Sequence, residues 1–485
     1  RAGMVSGGAA PTGKGALLCA GSVSHSMTGR TSEPAGYDGV PDANVFRFHR
    51  FGGAVGAATI VRVVAGCSGC HYMAVDDAGG LWVWGRNEKG QLGLGHTTNV
   101  YDPVRVSADV LPPVATAAVG RAHSIVVTVA GDVYAAGEGR MSQLGLGAGR
   151  SATRWAKVSS GAAKKIVGAA AGADFSLLLD VDGRVYAAGS QQYGQCGTGT
   201  TGEYIVSAGH SAFHEVSSFT QVVPLLAHTV VAIAAGTNHA VALDTNGAVF
   251  TWGCGTYGRL GHGDPADVLI PKLVATFSAP RAQAEAIAAG GACTYVVTRD
   301  VGALFFAGIA KRSGEATMTF KQVQDLAGWR VRAVAAGASS TIVAAEESLV
   351  TWGPAPTCGE LGYGEATRSS TKPKLVDDFA ATHVSAVAAG QAAALVVLDT
   401  DSDTKAAEEG RKLLAILPVY EPPPLASIKG GLAAEAEAEA AAGKKRGRAG
   451  GAAAAGGGGG SSGRGRGGAA RGGGGGGGGR KPRAS

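Results

Sequence analysis

Several short stretches of this 485-residue chain hold residue types that do chemistry elsewhere in proteins. Cys67-Ser68-Gly69-Cys70-His71 has the spacing of a c-type haem attachment motif, two thiols for thioether bonds and an imidazole for the iron. Gly90, Gly93 and Gly95 in GQLGLG mimic a loop that wraps phosphate in backbone N–H groups. FRFHRFGG from Phe46 alternates cations with aromatic rings and could meet phosphate, and KKRGR from Lys444 looks like a nuclear-import or polyanion-binding patch.

The first two weaken once their surroundings are read. His71 falls in register with His123 and His239, which makes it a turn or strand residue of a repeat that bonds to backbone. No distal Met or His is spaced to complete a haem pocket, and Cys67 with Cys70 lacks the second ligand pair of a structural metal site. GQLGLG precedes no predicted helix and recurs as QLGLG (Gln143–Gly147) and RLGHG (Arg259–Gly263), as a repeated turn does. No GxxxxGK[ST], HExxH, GxSxG or paired-carboxylate constellation stands out. The expectation is a chain with no catalytic residues, no cofactor and no metal.

The elements that would position these residues repeat. The stretch Leu81–Gly95 is a short strand, LWVWG, then a Gly-rich turn. An apolar alternation stopped by Gly recurs seven times, at Gly21, Gly85, Gly137, Gly189, Gly253, Gly308 and Gly353. A second element, an apolar run ending in Gly and followed by another apolar strand, also occurs seven times, from Val63, Ala117, Ala169, Ile233, Ile287, Val334 and Val387. The two series are offset: Gly21 has no upstream partner and Gly390 no following strand. A ring explains the offset if Leu17–Gly21 completes the sheet begun by Ala394–Leu398, which also hides two sheet edges. The fold class is therefore all-β, a seven-bladed propeller closed by N- and C-terminal strands.

Composition agrees. With 80 Gly, 45% hydrophobic and 16% charged residues, the chain can fill a large core and many tight turns. No apolar run is long enough for a membrane helix. The seven Cys, scattered apart from Cys67 and Cys70, suggest reduced thiols in a cytosolic or nuclear setting. Arg1 rather than Met opens the sequence, so preceding residues are left open. The expected layout is an extension over 1–14, the propeller over 15–400, a linker over 401–424 and a disordered Gly/Arg-rich tail over 425–485. FRFHRFGG is expected to pack the closing seam, and the insertion between Gly199 and Ala227 is a candidate binding loop.

From Glu421 to Ser485 eleven Lys/Arg stand against four Glu, whereas the whole chain is only +6, so the ring is near neutral and the basic character belongs to the tail. Lys444, Lys445, Arg446, Arg448, Arg464, Arg466 and Arg471 are the candidate polyanion-binding residues, and RNA is one polyanion that such Arg-Gly spacing binds loosely.

WGRNEKGQLG (Trp84–Gly93), GRAHS (Gly120–Ser124), GTNHAVAL (Gly236–Leu243) and YGRLGHGD (Tyr257–Asp264) resemble the regulator-of-chromosome-condensation repeat family. Lys321–Gly364 resembles that family's second-regulator, telophase-disc branch rather than its Ran-exchange branch, and the likeness covers about residues 15–420. It implies a monomeric seven-bladed propeller that binds small GTPases of the Ras superfamily, with guanine-nucleotide exchange in some members. It further implies association with chromosomes and spindle microtubules in mitosis and a nuclear location, with the cytoplasm as a second location. On the matching turns, Glu138, Arg140, Asp174, Asn238 and His239 become candidates for a GTPase-facing surface. The ultraviolet-receptor branch is rich in Trp, whereas this chain has six, with only Trp329 in a GWR sequence. The alternative is an organellar RNA- or ribosome-associated propeller that uses the Arg-Gly tail.

Overall fold

The structure, a computed structural model, describes residues 14–30, 44–207, 209–278, 282–309, 315–353 and 358–423. The expected tail and almost all of the expected N-terminal extension lie outside them.

Each repeat folds as an antiparallel four-stranded meander. In blade 1 the strands run Ile60–Ala65, His71–Asp76, Leu81–Gly85 and Val100–Arg105 from axis to rim. Five further four-stranded sheets follow, and the blade 7 strands Val384–Ala389, Ala393–Asp399, Gly15–Ser22 and Asn44–Arg50 merge with blade 1 into one eight-stranded sheet, which gives seven blades among the described residues. The second strands are buried on both faces, which explains their continuous apolar runs, such as FSLLLD in Phe175–Asp180. The inner strands end in small residues because seven of them converge. Ala170, Ala234, Ala288, Ala335 and Ala388 share the lining of one axial channel with Val64 and Ala118.

The expected closure is present. Gly15–Ser22 pairs antiparallel with Ala393–Asp399 over seven consecutive partners, with Cys19 opposite Leu395. Blade 7 takes its outer strand from the N-terminal segment as well, since Asn44–Arg50 pairs with Gly15–Ser22. Phe48 and Phe51 of the basic-aromatic stretch are buried at this seam, as expected of it. Backbone bonds between neighbouring loops tighten the ring near the axis: Arg121 N–H donates to Ala173 O, Ala173 N–H to Thr237 O, Ala338 N–H to Gly390 O, and Gln391 N–H to Gly69 O. The last of these joins blade 7 to blade 1.

Residues 401–424, expected as a linker, differ. Thr404 caps the helix Lys405–Ile416 by accepting from Ala407 N–H. Leu413 and Leu417 bury against blades 6 and 7. Beyond the helix, Arg50 N–H donates to Pro418 O and Tyr420 N–H to Arg50 O, while the Tyr420 ring enters the core between blades 7 and 1. The apolar spacing of LLAIL is enough for a helix, and burying a ring the size of Tyr420 contributes roughly 1.5–3 kcal/mol, so the segment is a strap over the seam.

The Gly-rich turns are blade turns with a steric cause. Gly93 has φ +68°, and a Cβ there would come within 2.4 Å of the Trp155 ring from blade 2. Gly145 meets Phe219, Gly261 meets Phe320 and Gly362 meets Phe48 in the same way, each ring on the next blade's outer strand. Two residues earlier in the turn, the side chains of Gln91, Gln143 and Gln195 accept the backbone N–H of Lys89, Met141 and Tyr193.

Blade 6 places Glu360 at that position, where its carboxylate accepts from Cys358 N–H. Burial pushes the Glu360 pKa up to about 7. The folded chain therefore holds a proton that the unfolded chain releases near its ordinary value, so this position loses stability as pH rises from about 4.5 to 7. Glu360→Gln restores the side chain of the other turns. It is expected to raise stability at pH 8 by about 1–3 kcal/mol and to change little at pH 4.5, as read by urea denaturation at both values. An unchanged pH 8 midpoint would remove the buried-proton account.

Candidate functional site

Strand direction alternates, so the loops from first to second strand and from third to outer strand emerge on one face, called the upper face. Glu138 and Arg140 follow the third strand of blade 2, and Asp174 and Asn238 precede the second strands of blades 3 and 4. Topology thus brings all four to the upper face.

Glu138, Arg140 and Asp174 join a charged run that crosses four blades, from blade 7 to blade 3. Arg30 holds Glu88 with paired contacts of 2.7 and 2.6 Å. Lys89 and Arg140 approach Glu138 at 3.8 and 4.0 Å. Arg121 donates to both Asp174 oxygens, at 2.7 and 2.5 Å. Burial raises the Asp174 carboxyl above its ordinary pKa while Arg121 pulls it back. The Arg121 side chain stays half exposed, so the pair adds little stability, and its bidentate geometry instead fixes two charges in the loops. The sequence reading had not singled out Arg121, Lys89, Glu88 or Arg30, because only the fold sets these loops side by side.

The insertion in blade 3 completes the surface. Glu203–Ser207 and His210–Phe213 form a two-stranded ribbon outside every blade, with Tyr204 opposite Ala212 and Ile205 opposite Ser211. Its base is tied down by Gln191, whose amide donates to His214 O at 2.9 Å, and by His214 N–H donating to Gly202 O. Tyr204 stacks on His214 with centroids 4.2 Å apart. Beyond that anchor Ile205 is 82% and Val206 62% exposed. These adjacent β-branched residues form an exposed apolar spot on a ribbon that pairs with no blade. The insertion was visible in the sequence as a break in period, but its projection was not.

His239 does not belong to this surface. It is fully buried, and its Nε2 lies 3.0 Å from the Thr294 hydroxyl of blade 5. Thr294 in turn donates to Arg259 O. Because the hydroxyl proton is used there, the imidazole donates from Nε2, which fixes its tautomer. His71 meets Ser124, and His123 meets Ser176, in the same arrangement at 2.8 and 2.9 Å. The expected bond to backbone is thus replaced by a bond to a side chain of the next blade. In the GxxH spacing, His is the first residue of the second strand and points between blades. Blades 3 and 4 use Phe175 and Ala240 at the same positions.

The CxxCH residues diverge accordingly. Cys67 lies 3.8 Å from the Thr237 hydroxyl across the axis, and Cys70 donates to the Gln391 side-chain oxygen at 3.1 Å. With His71 engaged by Ser124, the three residues converge on no common point. Burial raises both thiols above their ordinary pKa. The tail candidates Lys444, Lys445, Arg446, Arg448, Arg464, Arg466 and Arg471 lie outside the described residues.

Residues 6–318 match the model of the RCC1-like domain family. The chain is 38% identical to Protein RCC2 of Homo sapiens over 425 residues, which covers 84% of this chain and 80% of the human protein. It is 35% identical to the Protein RCC2 homolog of Danio rerio, over 85% of each. Among solved structures it is similar to Prp20p of Saccharomyces cerevisiae, whose structure was described with its binding to Gsp1p and histones. The TM-score is 0.66 at 22% identity, over 84% of this chain and 95% of Prp20p.

The buried imidazoles predict an acid response. Burial pushes His71, His123 and His239 down to about 3, so below pH 6.5 the unfolded chain takes up protons that the folded chain refuses, and stability falls as pH drops. Each contributes about 1.4 kcal/mol per pH unit across that window. His239→Phe combined with Thr294→Ala copies the pair used between blades 3 and 4. It is expected to fold and to lower the loss of stability between pH 6.5 and 5 by that amount, measured by denaturation at each pH. A slope equal to the parent's would show that His239 already titrates near its ordinary value.

Proposed function

The chain belongs to the RCC1-like domain family, and from that premise we propose that it is a non-catalytic scaffold whose upper face docks a small GTPase of the Ras superfamily. The observation that carries the reading is the anchored ribbon with Ile205 and Val206 exposed, set on the same face as the charged run from Arg30 to Asp174. An apolar ribbon anchored at its base on the same face as paired charges suits a specific interface, apolar contact for affinity and charge for orientation. Glu138, Arg140, Asp174 and Asn238 are the proposed contacts, with Arg121 holding Asp174. The partner of Prp20p supports a GTPase, and its histones, together with the RCC2 relatives, support a role on chromosomes and in the nucleus. Guanine-nucleotide exchange would need no covalent step, since it follows whenever the scaffold binds the nucleotide-free GTPase more tightly than the loaded one.

The tail supplies a second attachment. Seven more cations than carboxylate groups in residues 421–485 give salt-sensitive affinity for chromatin, RNA or tubulin surfaces. The division of labour is a near-neutral ring for specific docking and a basic segment for anchoring in cell division.

The test is a panel of Ras-superfamily GTPases in binding and nucleotide-release assays. Ile205→Asp with Val206→Asp, and separately Arg121→Glu, should weaken the responding GTPase by about tenfold or more, with an unchanged melting temperature. A panel without a binder, or a binder indifferent to both variants, overturns the proposal. Replacing Lys444, Lys445, Arg446 and Arg448 by Ala should leave GTPase binding unchanged and flatten the salt dependence of polyanion binding.

A further inference from the structure

The basic-aromatic stretch at Phe46 packs the seam through Phe48 and Phe51, while Arg47 is exposed and Phe46 and His49 are half-buried. A cleft of about 510 Å³ opens between Asn44–His49 on the outer strand of blade 7 and the turn Tyr363–Ala366 of blade 6, with Pro418 in its lining. Two aromatic rings at the cleft carry cations. The Arg368 guanidinium sits 4.7 Å from the centre of Phe46, and the Lys374 ammonium 4.6 Å from that of Tyr363. Arg47 lies alongside Gly364, where a Cβ would come 3.3 Å from its Nε. Lys372 is exposed two residues from Lys374 on strand Ser370–Leu375, so both project from the same side about 7 Å apart.

These cations are not spoken for. Among the described residues none of Arg47, Arg368, Lys372 and Lys374 takes part in an ion pair. Among the described residues Glu365 is the one carboxylate lining the cleft.

We propose that this cleft binds single-stranded nucleic acid. The cations are strung singly along two outer strands instead of converging on one point, which suits successive phosphates of an extended strand better than the lone phosphate of a modified peptide. A cleft of this size takes in a few unpaired nucleotides, whereas a duplex would only touch its rim.

The test uses the full chain and a fluorescein-labelled thirty-nucleotide oligo(dT), read by anisotropy across a salt series. Arg47→Ala with Arg368→Ala should weaken binding by about tenfold and lower the slope of log affinity against log salt by about 1.4, two phosphate contacts' worth. The melting temperature should stay within about 2 °C of the parent's, and Arg47→Lys with Arg368→Lys should recover most of the affinity. The tail variant at Lys444, Lys445, Arg446 and Arg448 separates the two readings. If it alone loses affinity while the cleft variant matches the parent, the cleft inference is overturned and the tail reading stands. If the cleft variant alone loses affinity, the cleft stands and the tail reading falls. Equal binding of a thirty-base-pair duplex, or displacement by a phosphothreonine peptide at comparable concentration, would assign these cations to another ligand and overturn the inference.

Discussion

Everything in this molecule depends on seven antiparallel partners between Gly15–Ser22 and Ala393–Asp399. A single blade is a twisted sheet with two apolar faces, and neither face is covered until a neighbour lies on each side. In an open row the first and last blades would expose those faces and two strand edges. Pairing the chain's two ends removes both liabilities. Its entropic cost grows slowly with loop length, about 0.6 kcal/mol per doubling, so even a loop of most of the chain is closed at modest expense. The Tyr420 ring and the helix Lys405–Ile416 then cover the one seam that the repeat does not make for itself.

Around that closure the blades are joined by a small set of interchangeable contacts. Histidine on hydroxyl and Phe175 beside Ala240 fill one space between neighbours, and an outer-strand ring on a turn glycine fills another. Interiors this dense tolerate exchange of chemistry only when volume and hydrogen bonding are both kept. This explains how CxxCH and GQLGLG arise without haem or phosphate. The repeat demands glycine where a ring presses on the turn and histidine where a hydroxyl waits on the next blade, and chance supplies the remaining letters.

The proposed contact surfaces lie where the repeat is broken. The ribbon at Glu203–Phe213 is an insertion that no blade needs, and its Ile205 and Val206 stay largely exposed. The Arg121 to Asp174 pair lies in loops whose length the repeat sets but whose charges it does not. The cleft at Phe46 exists because blade 7 takes its outer strand from the far end of the chain, which gives that rim a sequence unlike any other blade's. A repeated scaffold fixes position with most of its residues and leaves its exceptions to make contacts.

The sequence by itself determined the blade count, the closure and the structural nature of the glycines and histidines, because each follows from a period, and periodicity is local information repeated seven times. It also marked the insertion and the basic-aromatic segment as departures. It did not reveal that His239 turns inward, that residues 405–416 form a helix on the core, or that Arg121 reaches Asp174 and Arg368 reaches Phe46. Those facts join residues of different blades, some more than three hundred positions apart. Only the tertiary structure decided them, since a side chain's partner across a blade interface depends on the register between two sheets, which no single strand encodes.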